Sequence, residues 1–146
     1  MVQRNSDQVI HFCLAGAKVS NDWNLIWQLK MGHVVTIVES EHIFNGNSIL
    51  ASADVLILDC NEKQESYSRF LQNLRKMKSD FPGLCIVLVN GGIDQKQIAL
   101  AFKEGVHDYF SDPYDAILLM ERIQYLIRNK KNNQMGWVDS HPESIN

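Results

Sequence analysis

Strand-like and helix-like runs alternate along the chain, which predicts an α/β domain: a five-stranded parallel sheet with helices on both faces, three layers in all. Two observations carry most of this. Val55–Leu58 and Leu84–Val89 are uninterrupted apolar runs, as expected of strands covered on both sides. The segments between the strand-like runs have helical spacing, and parallel strands joined through helices require right-handed crossovers. At 146 residues and 45% hydrophobic content, the chain suits one compact domain with a sizeable core.

Val9–Leu14 (VIHFCL) reads as the first strand, followed by the small residues Ala15, Gly16 and Ala17. Ser20, Asn21 and Asp22 are helix-capping types. Behind them Trp23, Ile26 and Trp27, with Leu29, form a stripe expected to face the core, up to a stop at Gly32. Val34–Val38 is a β-branched strand ending on Glu39, and a short helix is expected around Asn47–Ser52. Val55–Leu58 then leads directly into Asp59. Ligands of open α/β sheets bind beyond the carboxyl ends of the strands, so this aspartate is placed at the rim of that crevice.

Tyr67, Phe70, Leu71, Leu74 and Met77 make the next amphipathic helix, broken at Pro82-Gly83. After Leu84–Val89 come Asn90-Gly91-Gly92. Asp94 with Gln97 then has capping-box spacing for a helix through Ile98, Ala101 and Phe102, closing at Gly105. Asp108–Ser111 holds a short strand, and Asp112-Pro113 turns the chain. Ala116–Arg128 forms the last helix, with Leu119, Met120, Ile123 and Leu126 inward. Residues 1–129 are thus assigned to the domain. Residues 130–146 are polar and aperiodic, and read as a linker or tail.

Several function classes are disfavoured. A net charge of −3 and the lack of a basic stripe argue against direct nucleic-acid contact. The polar N-terminus is not a secretory signal, and no apolar run approaches the ~18 residues of a membrane-spanning helix. Cys13, Cys60 and Cys85 are odd in number and widely spaced, as expected of reduced thiols in the cytoplasm. The histidines lack metal-ligand spacing, so no metal site is assigned. Ala15–Lys18 and Asn90–Gly92 lack a full phosphate-loop pattern.

The order of elements, with Asp59 ending the third strand, resembles the receiver domain of two-component response regulators over Val9–Arg128. Glu104–Ile123 is also similar to that family's closing pattern, through Gly105, Asp108, Tyr109, Phe110, Pro113 and Tyr114. The resemblance implies a CheY-like, flavodoxin-type sheet of strand order 2-1-3-4-5, with Asp59 at the phosphoacceptor position. It also implies switch positions at Asn90, where the family has Thr or Ser, and at Tyr109. The departures point to a degenerate receiver. Leu14-Ala15-Gly16 stands where an acidic pair helps hold Mg²⁺, and Asp112 stands where the family has a lysine.

Phosphoryl transfer to a carboxylate brings two anions together and depends on positioned positive charge. A single protein carboxylate is a poor Mg²⁺ site. An acid in place of the lysine adds a like-charge repulsion of ~1–4 kcal/mol at a few ångströms, depending on dielectric. The sequence therefore predicts a non-enzymatic interaction or dimerisation module in signal transduction, without efficient phosphorylation, catalytic residues or a cofactor. The alternative is a working phosphoacceptor, modified on Asp59 by a partner histidine kinase with Mg²⁺ and regulating an attached, DNA-binding output domain. Asp59 has a structural reading too, capping the loop or helix that follows it by accepting backbone N–H bonds. Self-association is expected through the fourth helix, fifth strand and fifth helix, as the resemblance implies, with Leu100, Tyr109, Leu118 and Tyr125 in the contact.

Overall fold

The computed structural model describes residues 9–39, 43, 48–59, 67–89, 94–111 and 113–132. The strands are β1 (His11–Ala15), β2 (Val34–Val38), β3 (Val55–Asp59), β4 (Cys85–Val89) and β5 (Asp108–Phe110). They form a parallel sheet of order β2-β1-β3-β4-β5. The helices are α1 (Ala17–Ser20), α2 (Trp23–Lys30), α3 (Tyr67–Asp80), α4 (Gln95–Lys103) and α5 (Ala116–Asn132), with a 3₁₀ turn at Ser48–Ser52 before β3.

Side-chain alternation along the strands divides the core into two layers. One face of the sheet presents Phe12, Leu14, Val55, Ile57, Val87 and Val89 to Leu25, Ile26 and Leu29 of α2 and Leu119, Ile123 and Leu126 of α5. The other presents Cys13, Ala15, Leu56, Leu58, Ile86 and Leu88 to Phe70, Leu74 and Met77 of α3 and Ala101 of α4. β3 and β4 are buried along their whole length, which is why neither alternates in sequence. Burial pushes the Cys13 thiol up to about 11, so it remains a protonated core side chain at neutral pH.

The caps explain where helices begin. Asp22 accepts from the Leu25 N–H at 3.1 Å and starts α2. Asp94 and Gln97 form the reciprocal capping box of α4, with bonds of 2.8 and 3.0 Å. Gly105, at φ +108°, follows the C-cap Glu104, and a Cβ there would lie 2.4 Å from Lys78 Cγ. Helices α3 and α4 are tied by the Arg75–Glu104 ion pair at 2.7–2.9 Å and by the Tyr67 hydroxyl donating to the Gln97 carbonyl at 2.6 Å.

Three expectations are corrected. The first strand is His11–Ala15 rather than Val9–Leu14, and a helical turn at Ala17–Ser20, which was not expected, follows it. The last helix continues to Asn132, past the end expected at Arg128. The third correction concerns α2. Its Trp23 and Trp27 are 70% and 71% exposed, whereas Leu25 and Leu29 are fully buried. At 100° per residue, Leu25, Leu29 and Ile26 share one face, and the tryptophans fall on the other side of the helix. The compact aliphatic face fills the space over β1, where an indole is too large for an already packed layer.

His33 connects the fold to pH. The Ile10 N–H donates to its Nδ1 at 3.0 Å, so that nitrogen is unprotonated, and the ring meets Phe12 edge-on at 5.5 Å between centroids. Burial lowers the His33 pKa from its ordinary 6.5. A depressed histidine pKa means that the unfolded chain takes up the proton first. The stabilisation is therefore complete above about pH 6.5 and is lost as pH falls through the folded-state value. Thermal melting temperature is expected to drop across that interval, and His33→Gln to flatten the drop. An unchanged slope in the variant would assign the acid sensitivity to another group.

Candidate functional site at the carboxyl end of the sheet

Register places Asp59 beside the end of β1. Ala15 pairs with Leu58, so the next residue, Gly16, lies across from Asp59. Alternation along β3 puts Asp59 on the same side as Val55 and Ile57, the side facing α1, α2 and α5. There the carboxylate turns under the α1 turn. Its Oδ2 accepts from the Val19 N–H at 3.0 Å, and Val19 itself is fully buried. Asp59 is 1% exposed, the one buried charged residue among those described.

Gly16 makes this approach possible. Its φ is +115°, and a Cβ added to it would stand 2.3 Å from Asp59 Cβ. The glycine at the place where the resemblance implies a metal-binding acid is therefore a packing requirement. It lets the chain turn tightly over Asp59 and direct a backbone donor at the carboxylate. The sequence reading allowed for a structural Asp59 but directed its capping at the following segment. The structure directs it backward to α1, forty residues earlier in the chain. The signal present in sequence was Gly16 alone.

The other expected positions divide into two groups. Asn90 and Asp112 lie outside the described residues, as do Cys60 and most of the proposed tail. Tyr109 is half-buried and packs against the layer of α3 and α4, as its pairing with Leu88 requires. Glu39, at the end of β2, is exposed. Asp22 has a second role that its sequence position did not reveal. Its Oδ2 accepts from the Tyr114 hydroxyl at 2.6 Å, tying the start of α2 to the turn before α5. Among the described residues, no group of three or more His, Cys, Asp or Glu is placed to hold a metal ion.

The expected contact residues are on the surface. Leu100 is 43% exposed, Leu118 57% and Tyr125 53%, and Phe102 and Ile117 add 42% and 55% on the same two helices. Arg122 lies among them, paired with Asp108 at 2.5 Å and 5.8 Å from the centroid of the Tyr125 ring. Among the described residues, no helix is long and apolar enough to cross a membrane.

The strand order, the three layers and an aspartate ending the central β3 define a receiver-type α/β domain. More specifically, the chain has the fold of the CheY-like receiver domains of response regulators. A receiver domain protein from Methanospirillum hungatei superposes with a TM-score of 0.68 at 14% identity, over 86% of this chain and 99% of that one. A receiver domain protein from Clostridium thermocellum gives 0.67 at 26% identity, over 84% and 98%. A protein described as pilus assembly-related, from Burkholderia pseudomallei, gives 0.65 at 17% identity, over 88% and 95%. In sequence, no family model and no curated protein matches the chain.

Proposed function

We propose that this domain is a receiver-fold interaction module that works without phosphorylation of Asp59. The observation that carries the reading is the burial of that carboxylate beneath Gly16, with Oδ2 engaged by the Val19 N–H. A phosphoryl donor must reach a carboxylate oxygen in line with its leaving group. Oδ2 is already engaged beneath the Gly16–Ser20 turn, so transfer to that oxygen requires the turn to open and a buried N–H to lose its acceptor. The change from an acidic pair to Leu14-Ala15-Gly16 supports the same conclusion by removing the Mg²⁺ ligands that the resemblance implies.

What the fold then supplies is a surface. The module acts in the cytoplasm as part of a signalling protein and associates with a second copy through α4, β5 and α5. Leu100, Leu118 and Tyr125 form the apolar part of that contact, with Tyr109 at its half-buried base and the Asp108–Arg122 pair at its polar rim.

Sedimentation of the full chain with and without acetyl phosphate and Mg²⁺, alongside intact mass, tests both parts. The mass is expected to stay unchanged and the association to be indifferent to the phosphodonor. Leu118→Glu combined with Tyr125→Glu is expected to reduce the association. One added phosphoryl group on Asp59, accompanied by a change in assembly, would establish the kinase-driven alternative instead.

A further inference from the structure

The outer face of α2 carries an apolar stripe that the domain's core does not use. Trp23, Trp27 and the C-cap residue Met31 recur every four residues and are 70%, 71% and 68% exposed. Ile37, 45% exposed on the edge strand β2, is on the sheet face that α2 covers, because its partner Leu14 belongs to the same layer as Leu25 and Leu29. Two exposed tryptophans and a methionine on eight residues of helix and its cap match the core of an interface rather than an ordinary surface.

Three features select the occupant. The stripe is symmetric about Trp27, with one large apolar residue four positions before it and one four after. A two-fold axis at Trp27 therefore sets Trp27 against its own copy and Trp23 against Met31 of the other, the isologous arrangement of a homodimer. The charges agree with antiparallel pairing. Residues 22–32 hold a single acid, Asp22, and a single base, Lys30, and a two-fold at Trp27 sets Lys30 opposite Asn24 and Asp22 opposite Gly32, so no like charges are brought together. The stripe supplies the larger share of the area a dimer needs. At these exposures the two indoles offer roughly 350 Å² and Met31 on the order of 100 Å² more, over half of the ~800 Å² per partner of a stable interface.

We propose that the Trp23–Trp27–Met31 stripe is a homotypic contact, packing antiparallel on α2 of a second copy of this chain about a two-fold axis at Trp27. This contact is separate from α4, β5 and α5 and does not rest on association there. With both contacts made, each copy has two partners and the assembly grows beyond a dimer.

Sedimentation equilibrium of the full chain, of Trp27→Glu, of the Leu118→Glu/Tyr125→Glu protein and of all three substitutions together tests it. The α5 double variant is expected to remain a dimer. Adding Trp27→Glu is expected to weaken that dimer at least ~30-fold, as loss of a central tryptophan does. Circular dichroism confirms folding, since the indole is exposed. A covalent check uses Trp27→Cys in a Cys60→Ser background: mild oxidation is expected to give a disulfide-linked dimer, and Lys76→Cys in the same background is not. A monomeric α5 double variant, association unchanged by Trp27→Glu, or failure of the Trp27→Cys protein to cross-link overturns the proposal. So does Trp27-dependent flotation with anionic lipid vesicles in a protein whose sedimentation ignores the substitution.

Discussion

Gly16→Ala is expected to cost about 2–4 kcal/mol of stability, the largest loss from any single methyl group near the candidate site. Two effects combine. The residue's φ of +115° is a conformation that L side chains rarely adopt, and the new Cβ would meet Asp59 Cβ at 2.3 Å. Neither neighbour can yield easily, because Asp59 is fixed in the sheet between β1 and β4 and Val19 is fully buried. Relief comes only from lifting the Gly16–Ser20 turn, which breaks the Val19–Asp59 bond. Denaturant unfolding measures the loss. Protection of the Val19 amide from hydrogen exchange reports whether the turn has lifted. A loss under about 0.5 kcal/mol, the range of ordinary surface changes, would mean that the close approach is not maintained in solution.

Asp59→Ala is expected to cost about 1–3 kcal/mol, the desolvation penalty of a buried N–H left without its acceptor. Asp59→Asn retains an acceptor oxygen and is expected to cost less. The sign is what matters for function. A carboxylate held in a cluster of acids for metal binding is relieved when neutralised, so its replacement stabilises the fold. A carboxylate serving as an internal hydrogen-bond acceptor does the reverse. Equilibrium unfolding of the two variants distinguishes these roles without any phosphodonor, and a stabilised Asp59→Ala protein would refute the structural role.

Both substitutions act on one feature: the joint between β1, β3 and α1, where Asp59 accepts from the Val19 N–H beneath Gly16. The same economy is seen at Asp22, which caps α2 with one oxygen and holds the Tyr114 hydroxyl with the other. Asp59 and Asp22 are each engaged by groups of the protein itself. Exposed large apolar residues lie elsewhere, on α4, on α5 and on the outer side of α2.

The layers were legible in the chain before any coordinates. Uninterrupted apolar strands, helices of regular period, the Asp94–Gln97 box and the glycine stops are local signals, and each depends on residues within a turn or two of one another. The aspartate at the end of β3 was legible in the same way. Its hydrogen-bond partner was not, because Val19 lies forty residues away and the bond comes from a backbone group that no side chain announces. The orientation of α2 was undecided for a related reason. Trp23, Ile26 and Trp27 share a helical period with the alternative set Leu25, Ile26 and Leu29. Which set is buried depends on the room left over β1 once α5 is in place, a matter of volume that a one-dimensional pattern does not encode.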